Sequence, residues 1–391
     1  MLKPIKLPQP TWNSDLAHSI YELERLRYGG FDATTPPWLF FDLKQIMQLL
    51  ESVLSVRIEG NRTTLYNAVE DVIDGQKPTS DEQTVEWRNV QKAILFIEQN
   101  ARGSKLNRAF LSELHKIVVI DLSPSREGSR TPGKYRSGNV TIQSSNYVPP
   151  TNTQVPALMD ELFQFIQEKR HGSQDLLVTA ISHHRFEAIH PFDNGNGRTG
   201  RLFTYAMLTK QGYIDTDGSR LLNPSSIFGI ERQRYFNMLS KADNGTEKGL
   251  LTWSSYVVKG IQTDVSRIDK LMDFSFVKRN ILEPAIKNAI DKGILNEKEE
   301  SVLRIAIEKD DYFQAKDVMQ LYGADQSART MTSRLLHKMK EQKLISVLPG
   351  KKQQYVPRFF NNALLRGVMQ QLQEQKILPL PFSATMSDTN K

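Results

Sequence analysis

The sequence predicts a mainly α protein: a helical core carrying one small β-hairpin, followed by a C-terminal winged helix-turn-helix domain. Three observations carry this. Apolar residues recur at i, i+3, i+4 and i+7 through most of the 391 residues, the period of helices buried on one face. Residues 128–150 break that period, with Gly133, Gly138 and Pro149 punctuating a β-rich Val140-Thr141-Ile142. Near the C-terminus, three helical stretches precede two short strand-like ones, the element order of a winged helix.

Pro4, Pro8 and Pro10 make the first dozen residues an extended arm. A helix follows with Leu16, Ile20, Leu23 and Leu26 on one face. After Pro36 and Pro37, the positions Leu43, Ile46, Met47, Leu50, Val53 and Leu54 mark a second helix that runs to Ile58, with Gly60 as its C-terminal cap. Further helices are expected over 63–74, 81–99 and 107–120. In the last, Phe110, Leu111, Leu114, Ile117 and Val118 form the apolar face and Asn107 the N-cap. His115 on that helix reads as a packing residue. A buried helix over 154–169 comes after the hairpin, and another over 174–189 carries Leu176, Leu177, Ala180, Ile181, His184 and Ala188. Pro191 ends it, and Leu202, Phe203, Ala206 and Met207 open the next, with Thr199 and Gly200 in its first turn. His183 and His184 are neighbours that point in different directions on a helix, so no metal reading attaches to them. Residues 222–239 and 251–290 are again helical.

In the C-terminal domain, Asn296 caps a helix through Val302, Leu303 and Ile307, a shorter one covers 315–322, and a third covers 327–342. Strands over 344–348 and 354–356 flank a Pro349-Gly350 turn. The divisions expected are an N-terminal helical region (1–106), a catalytic core (107–260), connecting helices (261–294), the winged helix (295–360) and a tail (361–391).

Hydrophobic residues make up 39% of the chain, enough for cores of ordinary size, yet no run approaches the roughly 18 to 20 apolar residues of a membrane helix. The opening Met1-Leu2-Lys3-Pro4 has no apolar run of the signal-peptide kind. With no cysteine, disulfides and thiolate metal sites are excluded. The expectation is a soluble, cytoplasmic protein without a membrane partner. The net charge of +7 gains meaning from clustering: within 327–352, Arg329, Arg334, Lys338, Lys340, Lys343, Lys351 and Lys352 stand against Glu341 alone. That is the electrostatic footprint of a DNA binder. It is equally the face of a module that docks a protein or a second copy in a homodimer, or of a solvated helix, and the sequence leaves these open.

Chemistry concentrates in His190-Pro191-Phe192-Asp193-Asn194-Gly195-Asn196-Gly197-Arg198-Thr199-Gly200-Arg201. The run stands where one helix stops and another starts, so it delivers backbone N–H groups to a helix N-terminus. Those groups lack intrahelical partners and the helix dipole is positive there, which suits an anion. Gly195 and Gly197 let the backbone approach phosphate oxygens. Arg198 and Arg201 add fork-shaped, charge-assisted donors. The ligand these features predict is a polyphosphate, with the imidazole of His190 as general base beside it.

The run resembles the signature of the Fic family, H-P-F-x-x-G-N-G-R-x-x-R, with every fixed position filled. The resemblance implies a Fic-type helical core and transfer of AMP from ATP to a Ser, Thr or Tyr hydroxyl of a protein, this chain itself included. It implies His190 as the base, Gly195 to Gly197 holding phosphates, Asn196 on the α-phosphate, Arg201 on the γ-phosphate and Phe192 as a buried anchor. The resemblance also implies Mg²⁺ beside the phosphates; many members carry an acid just before the first glycine as its ligand, and here the candidate ligand is Asn194, whose neutral oxygen attracts a cation less. Gly133-Lys134-Tyr135-Arg136 is similar to the sequence that precedes the family's flap, a hairpin that pairs with the target's main chain, here near Val140-Ile142. Tyr235 falls where the family often has an aromatic near the nucleoside; core packing is its other reading.

Ser55-Val56-Arg57-Ile58-Glu59-Gly60 resembles the family's inhibitory motif S/T-x-x-x-E-G/N. By that resemblance Glu59 pairs with Arg201 and plugs the γ-phosphate position, a carboxylate competing for the same guanidinium. The leading expectation is therefore an autoinhibited protein adenylyltransferase. Removal of AMP from modified proteins, with Glu59 orienting a water, is one alternative. A winged-helix DNA-binding regulator is another.

Overall fold

The computed structural model describes residues 2–29, 34–142, 147–214, 224–309, 311–323 and 326–379. In chain order its helices are α1 (Asp15–Gly29), α2 (Pro37–Ile58), α3 (Leu65–Ile73), α4 (Glu82–Asn100), α5 (Arg108–Val119), α6 (Val155–Gln167), α7 (Asp175–Ile189), α8 (Asn196–Lys210) and α9 (Pro224–Gly229). There follow α10 (Arg232–Ala242), α11 (Glu247–Ile268), α12 (Phe274–Val277), α13 (Glu283–Asp291), α14 (Glu297–Ile307), α15 (Ala315–Met319), α16 (Gln326–Glu341) and α17 (Leu364–Glu374). Strands β1 (Ile345–Val347) and β2 (Tyr355–Pro357) pair antiparallel, Ser346 opposite Val356. Among the described residues the protein is thus mainly α with one small hairpin, and many starts obey local chemistry. Thr64, Asp81 and Asn107 each accept a backbone N–H in the first turn of α3, α4 and α5.

The chain divides into two compact units, neither contiguous. The first comprises Met1–Phe31, Gln48–Thr63 and Thr79–Ser266. At its centre α7 is buried all round from Leu176 to Phe186 and packs between α6 and α8, with α4 and α5 also against α8. A helix enclosed on every side needs partners for its polar side chains. Thr179 donates to Gln211 Oε1, and Arg185 donates to the Lys3 carbonyl and pairs with Glu161. The Trp253 indole N–H reaches the Ala180 carbonyl at 2.6 Å.

The second unit comprises Asp32–Met47, Thr64–Pro78 and Arg267–Lys391. Within it α17 packs on α13 and α3, and α16 packs on α15 and β1. Phe313 and Tyr355 exchange two backbone hydrogen bonds of 2.9 Å, adding an isolated bridge beside the hairpin. Asp42, fully buried, accepts the Phe359 N–H at 2.7 Å and pairs with Arg358 at 2.5 Å.

Three features depart from the expectations. Residues 361–391 begin with α17, whose Leu364, Leu365, Val368, Met369 and Leu372 are buried at helical spacing; residues 380–391 lie outside the described ones. Residues 128–142 and 147–150 form turns and extended chain, and no strand is assigned at Val140–Ile142, so the described hairpin is the C-terminal one; residues 143–146 lie outside the described ones. The segments 32–47 and 64–78 belong with the C-terminal unit although they are N-terminal in the chain, because α3 finds its apolar partner in α17. Among the described residues no helix is long and apolar enough to cross a membrane.

The N-terminus of α14 is closed by a capping box in which Asn296 accepts from Lys298 and Glu299 while Glu299 accepts the Asn296 N–H, all at 3.0 Å. Replacing Asn296 by Ala is expected to cost about 1 kcal/mol. Amide exchange over 297–300 and the urea midpoint of the C-terminal unit measure that loss.

Candidate active site

The loop between α7 and α8 is built by its own sequence and then pinned from three sides. His190 caps α7 in the left-handed conformation (φ 52°, ψ 62°), with its N–H on the Phe186 carbonyl at 2.9 Å. A non-glycine residue there is held by its surroundings rather than by preference. Gly195 turns the chain into α8 at φ 72°, and a Cβ on it would lie 2.9 Å from Val119. Inside the loop, the Asn196 amide accepts the Phe192 N–H at 2.8 Å and donates to the Phe192 carbonyl at 2.9 Å. Phe192 is buried and stacks on His115 with ring centroids 3.7 Å apart. The Asp193 carboxylate accepts from Ser129 Oγ and from the Arg130 N–H.

Arg136 fastens the chain on either side of it to the same corner. Its guanidinium donates to the carbonyls of His190 (2.8 Å), Gly138 (2.9 Å) and Pro150 (2.6 Å), and its own N–H bonds the Pro191 carbonyl. One side chain therefore ties both ends of the segment 138–150 to the C-terminal end of α7, where exposed carbonyls favour a cation.

At the start of α8 the structure brings together Gly197, Arg201, Ser55 and Glu59. Arg201 is 1% exposed. It donates through Nη2 to Glu59 Oε1 (2.7 Å) and to the Ser55 carbonyl (2.8 Å), and through Nε to Ser55 Oγ (3.1 Å). A Cβ placed on Gly197 would fall 2.1 Å from Glu59 Oε1, so the carboxylate rests on the backbone of the first helical turn. Burial pushes the Glu59 carboxyl up, but Arg201 and then Arg198 and His190 outweigh it and hold it below the ordinary carboxylate range. Glu59 is thus an anion at the N-terminal end of a helix, paired with a buried arginine.

Arg198, also buried, has acidic partners that no motif marks. Its Nη1 lies 2.9 Å from Glu86 Oε1, and its Nη2 donates at 2.8 Å to both the carboxylate and the carbonyl of Glu127. Asn61, two residues beyond Glu59, donates to Glu86 Oε2 at 2.6 Å. Burial raises the Glu86 carboxyl to about 7, with Arg198 opposing. A signal existed in the sequence: Glu86 sits beside Trp87 and Val90 on the buried stripe of α4, where a carboxylate is costly without a cation.

The His190 ring places Nδ1 3.4 Å from the Glu187 carbonyl, which leaves Nε2 as the open, basic nitrogen. Burial lowers its pKa to about 4, so it is neutral at pH 7. Glu187 is raised to about 8 by burial and is neutral too; its Oε1 would lie 2.2 Å from a Cβ on Gly200, which is why that position is glycine. Thr199, buried in the same turn, returns its N–H to the Gly195 carbonyl. Tyr235 is buried with its hydroxyl 2.9 Å from His183 Nε2 and its ring against Phe228 and Trp253, a packing position.

Two side chains are committed differently from what the resemblance implies. The Asn196 amide is spent on Phe192, so only its N–H is available to a phosphate. The Asn194 amide donates to the Arg126 carbonyl at 2.6 Å and accepts the Gly195 N–H at 2.7 Å, while both Asp193 oxygens have donors. Among the described residues no group of three or more His, Asp or Glu is placed to hold a metal ion. One neutral, already engaged oxygen does not fit a Mg²⁺ site, since a hard cation is held by several free oxygen donors.

Replacing Asn196 by Ala would strand the N–H and carbonyl of buried Phe192. The expected cost is about 1–3 kcal/mol for each buried group left without a partner, read as a lowered melting temperature.

Residues 105–208 match the Fic/DOC family. Over 162 residues, 41% of this chain and 45% of the relative, the sequence is 26% identical to a probable protein adenylyltransferase of Aquifex aeolicus. Over 198 residues, 49% of this chain and 37% of the relative, it is 27% identical to protein adenylyltransferase Fic of Drosophila virilis. The matches thus span less than half of either relative. Among solved structures, a Fic family protein from Desulfovibrio desulfuricans is similar at a TM-score of 0.54 and 21% identity, covering 90% of this chain and 98% of that one. Fic-1 from C. elegans is similar at 0.53 and 18%, covering 66% and 72%. These structures agree in fold, and the signature run 190–201 falls inside the segment, residues 105–208, that matches the Fic/DOC family.

Proposed function

We propose that the protein is an autoinhibited protein adenylyltransferase that moves AMP from ATP to a hydroxyl of a protein substrate. The observation that carries this is the ionised Glu59 carboxylate lying on Gly197 and paired with Arg201, an anion in the place made for a phosphate, whose charge is felt by the neutral imidazole of His190. Relatives named as protein adenylyltransferases support it. In the reaction, the acceptor oxygen attacks the α-phosphorus of ATP and His190 Nε2 takes its proton. The bond from the α-phosphorus to its bridging oxygen breaks, and pyrophosphate leaves with the electron pair. N–H groups at the start of α8 and the Arg201 guanidinium stabilise the charge on the phosphates.

A triphosphate must displace Glu59, because two anions cannot share one guanidinium and one helix terminus. The Glu59 pKa is depressed, so the ion pair is complete above the ordinary carboxylate range of about 4.3 and fails only as pH falls below it. The lock therefore holds throughout neutral pH. Replacing Glu59 by Gly is expected to raise AMP incorporation from α-labelled ATP by about tenfold or more, the equivalent of one charge-assisted hydrogen bond. Adding His190→Ala should lower it by roughly 10²- to 10⁴-fold. Undiminished label in the His190 variant would sink the assignment. Mass spectrometry of the Glu59 variant after incubation with ATP reads self-modification directly.

Burial holds His190 near 4, and Glu59 is one of the influences raising it. In the Glu59→Gly variant, kcat/KM should stay level from pH 8 to about 5.5 and fall only below about 4, the value that Glu59 helps to hold up, where the imidazole takes a proton and ceases to be a base. An acid limb near the ordinary histidine value of about 6.5 contradicts the neutral, low-pKa base.

A second reading, removal of AMP from a modified protein, is favoured by one observation: the Glu59 side chain keeps 31% of its surface exposed, so its carboxylate can orient a water. Release of AMP from a pre-labelled acceptor, abolished by Glu59→Gly, separates the two directions. In the C-terminal unit, Arg329, Arg334, Lys338, Lys340, Lys343, Lys351 and Lys352 are all exposed on or beside α16 and the hairpin. The helix and hairpin order supports a winged-helix module that recruits a protein or contacts DNA. Salt-dependent retardation of duplex DNA, lost on Arg334→Ala with Lys338→Ala, would favour DNA.

A further inference from the structure

We infer that His115 is a positioning residue that clamps the base of the flap segment to the phosphate loop through two main-chain hydrogen bonds, one from each ring nitrogen. Its catalytic consequence rests on the adenylyl-transfer reading; the clamp itself does not.

The imidazole is fully buried on α5 and lies parallel to the Phe192 ring. Its Nδ1 accepts the Gly133 N–H at 2.8 Å, which requires that nitrogen to be unprotonated. The proton is therefore on Nε2, and Nε2 donates to the Asn194 carbonyl at 3.0 Å. The ring is neutral, since burial lowers its pKa to about 4, and an imidazolium could not accept from Gly133. Both segments it joins are seated closely on the same helix. Gly133 has φ 77°, donates to His115 and accepts from Ser112 Oγ at 2.8 Å, and a Cβ there would lie 2.7 Å from that oxygen. Gly195, next after Asn194, has no room for a Cβ against Val119, one turn along α5 from His115.

What hangs on these two points is the rest of the site. Three residues after Gly133 stands Arg136, whose guanidinium holds the His190, Gly138 and Pro150 carbonyls. Immediately after Asn194 begins the glycine turn that opens α8. The acceptor side and the phosphate side of the active site thus share one rigid reference, and their separation is set by the width of an imidazole. Plain packing would be satisfied by any flat apolar ring. A donor on one edge, an acceptor on the other and a face for Phe192 are together met by a neutral imidazole.

The test uses the full chain carrying Glu59→Gly, with His115→Phe, which keeps the stack and loses both hydrogen bonds, and His115→Gln, which keeps a donor and an acceptor and loses the stack. Melting temperature, amide exchange over 131–136 and 193–197, ATP affinity by calorimetry and AMP incorporation are measured for each. In His115→Phe, exchange should rise about tenfold in both segments together, ATP binding should weaken and kcat should fall, with the melting temperature within a few degrees of the parent. His115→Gln should restore exchange and ATP binding in part. Unchanged exchange and ATP affinity in His115→Phe, or an equal loss in both variants that follows only the melting temperature, overturns the clamp. Should His115→Phe fail to fold, nitrogen NMR of the unsubstituted chain decides: a proton on Nε2 is expected, and a proton on Nδ1 contradicts the arrangement. If the Glu59→Gly parent transfers no AMP, the adenylyl-transfer reading falls while the exchange and NMR results still decide the clamp.

Discussion

Two arginines one turn apart at the start of α8, both removed from water, set the terms for the rest of the first unit. A buried guanidinium is tolerated only with acceptors around its fork, because the protein interior does not replace the hydration that is lost. Arg201 draws Ser55 and Glu59 from α2 and its end, and Arg198 draws Glu86 from α4 and Glu127 from the loop beyond α5. Asn61 links the two sets, since it follows Glu59 in the chain and bonds Glu86. The neighbourhood of the signature is thus a cluster of two guanidinium groups and three carboxyl groups assembled from four parts of the chain. On the proposed function, a nucleotide enters by replacing one member of that cluster.

Around this cluster the same scarcity of water sorts the remaining ionisable groups by form. His190 and His115 are neutral bases because burial penalises the imidazolium, and Glu187 is a neutral acid because burial penalises the carboxylate. Glu59 alone among these four is held charged, by the guanidinium beside it. On the proposed function, a neutral imidazole and an ionised carboxylate are the combination that an inhibited general-base site requires.

Helices were legible where a polar cap met an apolar stripe. Asn107 with Phe110, Leu111 and Leu114 fixes the start and face of α5, and Asn296 with Val302 and Leu303 does the same for α14. The stripe of Leu364, Leu365, Val368 and Leu372 was as regular, yet prolines and polar residues after it suggested a tail; its partners, on α13 and α3, lie far away in the chain. Val140-Thr141-Ile142 shows the opposite error. β propensity promised a strand, but propensity acts through cross-strand neighbours, and none is paired with it among the described residues.

By itself the sequence determined the run from His190 to Arg201: a helix stopped by proline, a glycine turn at positive φ, a second helix whose first N–H groups have no intrahelical acceptor, and a histidine at the corner. All of this follows from local backbone rules acting within a dozen residues. A second motif, ending in Glu59, supplied Arg201 with its partner through family resemblance, across 142 residues of chain. The tertiary structure alone decided that Arg198 is paired with Glu86 and Glu127, that Asn194 and Asn196 spend their amides on the main chain, and that His115 joins two loops. Those outcomes depend on which groups share a dry volume and compete there for the same donors and acceptors, and that competition has no signature in residue spacing.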